Sequence, residues 1–201
     1  MRIGSRDFAI QGHTYVMGIL NVTPDSFSDG GRYQKLDQAL YHVEEMITDG
    51  MDIVDVGGES TRPGYTPVTA EEEEERVIPV IEAVKSRFNI PISLDTCKAA
   101  VAKAGIEAGV DLINDIWGLK FDPALAEVIA NENIACCLMH NRKEAIYQNY
   151  MEEVLWDLEE TLQIAHQAGI ADDKIILDPG VGFGKTYEHN LEIIDRMEML
   201  H

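Results

Sequence analysis

Short apolar runs recur along this chain at near-regular intervals. Each run ends on a polar residue, and each is followed by a stretch of helical periodicity. Runs of four to eight apolar or β-branched residues have buried-strand length, whereas apolar positions three and four apart mark one face of a helix. The pattern predicts strands over residues 14–21, 52–57, 91–95, 111–115, 134–140 and 174–178. Helices are expected over 36–49, 70–87, 98–108, 123–131, 151–168 and 187–200. Gly50, Gly109 and Gly169 fall just past three of these helices, where a left-handed cap residue belongs. Strands that alternate with helices in this way imply a parallel α/β sheet covered on both faces.

A doubly wound sheet and a closed barrel both satisfy that alternation, and the strand ends separate them. Asn21, Asp55, Asp95, Asn114, His140 and Asp178 each close, or nearly close, an apolar strand. A TIM-type (β/α)8 barrel builds its site from the C-terminal ends of many strands, while a doubly wound sheet gathers its ligand groups at one switch point. The chain therefore reads as a (β/α)8-type barrel. Such barrels usually run to about 250 residues and eight units. These 201 residues supply six, so the expectation is one barrel domain over 1–201 that lacks its last two βα units and leaves two sheet edges unpaired.

Charge narrows the function classes. A formal net charge of −20 opposes nucleic acid and anionic membranes, whose affinity comes from Lys and Arg neutralising phosphates. A small anionic substrate needs only a few local donors and stays open. The longest apolar stretches are far too short to span a bilayer, and Met1 to Asp7 leads into no export signal. Cys97, Cys136 and Cys137 show no zinc or disulfide spacing, so they read as reduced structural thiols of a cytoplasmic protein. The acidic run Glu71 to Glu75 follows Thr69, and Thr69 with Glu72 has the spacing of a capping box.

Several loops carry candidate chemistry. The first, Asn21 to Gly31, is long, polar and broken by Pro and Gly, and contains Asp25, Phe27 and Asp29. Loops of that length in a compact domain are usually functional or disordered. The second, Gly57 to Gly64, places Ser60, Thr61, Arg62 and Pro63 directly after a buried strand, and hydroxyls with a guanidinium suit a phosphate. A turn with a surface Arg would read the same. Asp95, Asn114 and Asp178 form the most informative set: two carboxylates and an amide match the donor and acceptor edge of an amino-pyrimidinone heterocycle. Helix capping is the plainer alternative, above all for Asp95. The stretch Gly180 to Thr186 lacks phosphate-loop spacing and reads as a glycine floor with Phe183 beside a planar ligand. His140 is a lone histidine, and Met139 is either core packing or the wall of a flat-ring slot.

In order along the chain, the segments Met17 to Gly31, Asp55 to Gly64, Ser93 to Thr96, Ile113 to Ile116, Cys137 to His140 and Leu177 to Lys185 resemble those of the dihydropteroate synthases. That resemblance implies a TIM barrel and a transferase of folate biosynthesis, which joins 6-hydroxymethyl-7,8-dihydropterin diphosphate to p-aminobenzoate and releases diphosphate. It implies that Asp95, Asn114 and Asp178 hold the pterin as the catalytic set, with Ile116, Met139 and Phe183 lining its slot. Asn21 and Asp29 would ligate Mg2+, Thr61 and Arg62 would meet the diphosphate, and Phe27 with Pro63 would help form the p-aminobenzoate pocket. A homodimer is expected of the full-length form. The family's seventh strand carries a Ser-Arg-Lys segment and its eighth an Arg-x-His-Asp segment; this chain has neither, so weak or no turnover is expected. The alternatives are a non-catalytic pterin-binding fragment and a pterin-binding corrinoid methyltransferase, which needs no diphosphate loop.

Overall fold

The computed structural model describes residues 1–9, 11–22, 32–59 and 67–200. The chain opens with a two-stranded antiparallel hairpin, β1 (Arg2–Ile3) and β2 (Arg6–Asp7). Then come β3 (Met17–Asn21), α1 (Arg32–Thr48), β4 (Ile53–Gly57), α2 (Ala70–Arg87), β5 (Ile92–Asp95) and α3 (Ala99–Ala108). The remainder is β6 (Leu112–Asp115), α4 (Ala124–Glu132), β7 (Ala135–Met139), α5 (Tyr150–Ala168), β8 (Ile175–Asp178) and α6 (Tyr187–Asp195).

Strands β3 to β8 form one parallel sheet in strict sequence order. That order decides the architecture. A doubly wound sheet reverses direction at its switch point, and a sheet that never reverses is an arc of a (β/α)8 barrel. The side chains split accordingly. Val54, Val56, Ile92, Leu94, Ile113, Cys136 and Leu138 point outward and pack against Val77, Ile81, Val101, Leu125 and Ile129 of the helices. Each such burial is worth about 1.5–3 kcal/mol. The alternate residues Ile53, Leu112, Ala135 and Cys137 point inward, where Ile3 and Phe8 of the N-terminal segment seal the barrel's lower end.

Left-handed Gly109 and Gly169 end α3 and α5 as the sequence predicts, and Gly50 (φ 99°) follows α1. Asn133 does the same for α4, a position where only Asn or Gly is at ease. Thr69 caps α2 by accepting from Glu72 N, but the Glu72 side chain turns to Arg76, so half of the expected box forms. The last helix is shorter than expected. It stops at Asp195, and a 3-10 turn covers Met197–Leu200. The N-terminal hairpin is absent from the sequence reading because two-residue strands leave no periodicity. Among the described residues β3 and β8 each pair on one side alone. The inward Ile19 of β3 is 63% exposed, and every residue of β8 is half-buried.

Candidate active site

Ladder parity gathers the polar strand ends. Asn21 pairs with Gly57, Gly57 with Asp95, Asp95 with Asn114, Asn114 with Cys137, and Met139 with Asp178. Because Ile53, Leu112 and Cys137 face the interior, residues an even number of steps away face it too. Asn21, Asp55, Ser93, Asp95, Asn114, Met139 and Asp178 therefore share the inner face at the barrel's C-terminal mouth. Gly57 leaves the space between two of them. A Cβ added there would lie 3.5 Å from both Asn21 Oδ1 and Asp95 Oδ2, so those oxygens are no further apart than twice that distance.

Of the helix-capping alternatives, Asp95 is free. The N-terminus of α3 is served from elsewhere: Thr96 Oγ1 accepts from Lys98 N and Asp122 Oδ2 accepts from Ala99 N. Asp95 meets no donor among the described residues and lines a small pocket with Ile116, Trp117, Thr96 and Cys97. Burial, and after it the charge of Asp55, pushes its carboxyl well above the ordinary range. Asn114 donates from Nδ2 to Asp55 Oδ2 (3.0 Å) and keeps its carbonyl oxygen. Asp178 accepts from Gly180 N at 2.8 Å through one oxygen, a turn within its own loop and not a helix cap.

Asp55, counted in the sequence among the polar strand ends, was given no role in the site there. It is buried, with Oδ1 lacking a hydrogen-bond partner, and the Ser93 hydroxyl opposite it in the ladder is also unpartnered. Burial raises its carboxyl, while the adjacent Ser93 hydroxyl and then the Asn114 amide pull the other way. Its inward parity within Ile-Val-Asp-Val was the available signal. Asp115, by contrast, points outward. Its oxygens accept from Trp117 N and Leu119 N to fix the turn after β6, and burial lifts its carboxyl to about 6.

Beneath the second loop, Lys98 Nζ sits between Glu59 and the buried Glu73, and Glu59 also accepts from Val68 N. On the other side His140, whose ring is fully buried, is 3.0 Å from Asp157 Oδ2 through Nε2 and 2.8 Å from Lys185 Nζ through Nδ1. Burial, reinforced by the Lys185 charge, holds it neutral with a pKa near 4. Met139 closes β7 and is buried, Ile116 directly follows β6, and Phe183 lies in the loop after β8; the last two are half-buried. Phe27, Asp29, Thr61, Arg62 and Pro63 lie outside the described residues, as does Ser60. Among the described residues no three His, Cys, Asp or Glu side chains form a metal cluster, and no helix is long and apolar enough to cross a membrane. All three cysteines are free, with burial pushing the Cys97 thiol up to about 12.

The family model described as pterin binding enzyme matches residues 17–201. A dihydropteroate synthase of Clostridium beijerinckii is 58% identical over 200 residues, covering 100% of this chain and 74% of the relative. The chain belongs to the dihydropteroate synthase family. A dihydropteroate synthase of Bacillus subtilis is 54% identical over 92% of this chain and 65% of its own length. The crystal structure of the Clostridium difficile synthase, solved in the presence of pteroic acid, superposes with a TM-score of 0.91 at 46% identity, over 100% of this chain and 74% of that one. The Xanthomonas albilineans synthase in complex with 7,8-dihydropteroate gives 0.83 at 38% identity, over 92% and 68%. This family is one of transferases in folate biosynthesis with a TIM barrel fold.

Proposed function

We propose that the chain condenses 6-hydroxymethyl-7,8-dihydropterin diphosphate with p-aminobenzoate to give 7,8-dihydropteroate and diphosphate. The observation that carries the reading is the convergence of Asp95, Asn114 and Asp178 on one inner face, with Asp95 unengaged by any cap. An ionised carboxylate there accepts two parallel N–H bonds from the amino-pyrimidinone edge, and the Asn114 amide oxygen accepts a further one. Ligand donors would replace the water that Asp95 loses on burial, so binding favours its ionised form.

In the reaction the arylamine nitrogen bonds to the exocyclic methylene carbon as its bond to the diphosphate oxygen breaks. The bonding pair leaves with diphosphate, and the amine proton passes to solvent. Positive charge spreads toward the ring as that bond stretches. Asp95 and Asp178 stabilise it more in the transition state than in the ground state, which is what accelerates a step. Asn21 Oδ1, a hard oxygen donor at the mouth near Gly57, would suit Mg2+ together with Asp29. Bound there, Mg2+ would supply the positive charge a departing diphosphate needs. Thr61 and Arg62 would receive the diphosphate, and Phe27 and Pro63 the p-aminobenzoate ring.

A homodimer of the full-length form belongs to the same reading. Three free thiols agree with a cytoplasmic setting. The test is to supply dihydropterin diphosphate, p-aminobenzoate and Mg2+, and to follow 7,8-dihydropteroate by chromatography. Product that depends on all three supports the reading. Pterin binding without any product would leave the non-catalytic binder in its place, and binding of the diphosphate form that ignores Mg2+ would remove the metal.

A further inference from the structure

The glycine-rich segment after β8 is held from one side by contacts that the chemistry above does not use. Lys185 Nζ lies 2.8 Å from His140 Nδ1, 3.0 Å from the Phe183 carbonyl oxygen and 3.4 Å from the His140 carbonyl oxygen. An ammonium only donates, so Nδ1 accepts and Nε2 carries the ring proton toward Asp157. Asp157 is fixed in turn by Arg142 Nε at 2.7 Å. The segment itself presses on the loop after β7. A Cβ at Gly180 would come within 2.0 Å of the His140 carbonyl oxygen, and one at Gly184 within 2.3 Å of the Arg142 carbonyl oxygen. Tyr147 adds a bond from its hydroxyl to the Gly184 carbonyl at 2.7 Å.

From this geometry we infer that Lys185 is a positioning residue, which clamps the segment 180–186 onto buried His140 and so sets Phe183 and Asp178 as one wall of the pterin slot. The inference rests on the functional reading above. Lys185 directs its three donors at protein acceptors, which leaves none for a ligand and separates it from a phosphate-binding lysine. Asp178 is coupled to the clamp twice, through Gly180 N and through the Lys185 charge. The ionisable groups around the ammonium are His140 just after β7, Arg142 in the same loop, Asp157 on α5 and Asp178 on β8. Burial lowers the lysine to about 8, so it stays charged at neutral pH.

The test measures 6-hydroxymethylpterin affinity by calorimetry and amide exchange by mass spectrometry, on the whole chain. Lys185→Met should weaken the pterin about tenfold, the worth of one buried charge-assisted hydrogen bond. It should speed exchange in 180–186 and leave β4 to β6 unchanged, whereas Lys185→Arg, which restores the charge and N–H donors in a different geometry, should recover part of the lost affinity. Wild-type affinity in Lys185→Met overturns the inference, and so does exchange that accelerates across the whole barrel. Should that variant fail to fold, Tyr147→Phe replaces it: a severalfold loss confined to the same amides supports the clamp, and no change overturns it. A wild-type chain that binds no pterin sinks the functional reading instead, and the exchange data then judge the clamp alone.

Discussion

The two ends of the barrel interior are built from the same strands, one or two inward steps apart, and have opposite chemistry. At the lower end Ile53, Leu112 and Ala135 close on Ile3 and Phe8, and every group gains by leaving water. At the mouth Asp55, Ser93, Asp95 and Asn114 occupy the next inward positions, and Asp55 and Ser93 each carry a fully buried oxygen with no partner. Burial at one end stabilises the fold. At the other it raises carboxyls and costs stability, a loss that only a ligand bearing N–H donors would recover. Stability and recognition are thus divided along the barrel axis.

That division breaks if mutations at the two ends have the same effects. Leu112→Ala is the largest expected change, a loss of about 2–5 kcal/mol in chemical denaturation, and pterin affinity of the folded fraction should be unaltered. Asp95→Asn should do the reverse. It should cost roughly a hundredfold in pterin affinity, the worth of about two charge-assisted bonds, while the melting temperature holds or rises because a penalised carboxylate is gone. A fall in stability comparable to that of Leu112→Ala would show the mouth to be structural after all.

His140 sharpens the boundary between the two regimes. Its folded pKa lies near 4 against 6.5 in a free histidine. The unfolded chain therefore binds the proton first at this site as pH falls, and the His140 contribution drops between pH 6.5 and 4 by up to about 3 kcal/mol, opposed by the raised carboxyls of Asp115, Asp55 and Asp95. Asp157 and Glu153 are held below their ordinary values and act beneath that window. Comparing wild type with His140→Gln by denaturation at several pH values should remove this limb alone; parallel curves would assign it elsewhere. A smaller effect is expected at Asp55. Asp55→Asn keeps an acceptor for Asn114 and deletes a buried charge, so stability at pH 7 should rise by about 1 kcal/mol. The least is expected of Lys85→Met, which breaks a half-exposed pair with Asp111 and should shift stability by under about 1 kcal/mol.

Much of the site was legible before the fold. Asp95, Asn114, Met139 and Asp178 close apolar strands, and a strand's last polar residue is a local signal. Asp55 was legible as a polar residue near a strand end but not as a member of the site, because only its pairing opposite Ser93 and its distance from Ile53 reveal an inward side chain. Lys185 was read as part of a floor, since its partner His140 is 45 residues away in the chain. The hairpin that seals the lower end went unseen for a similar reason: Ile3 and Phe8 gain their meaning from Leu112 and Ala135.

The amino-acid order by itself determined the type and order of the main strands and helices and several of their ends, because periodicity, glycine caps and strand-end polarity act within a few residues. It also determined the family, through motifs kept in sequence. Only the tertiary structure decided which face each strand end presents, which carboxyl is free and which is engaged, and which ionisable groups are displaced from their usual values. Those properties depend on register and burial, and both arise from contacts between residues far apart in the chain.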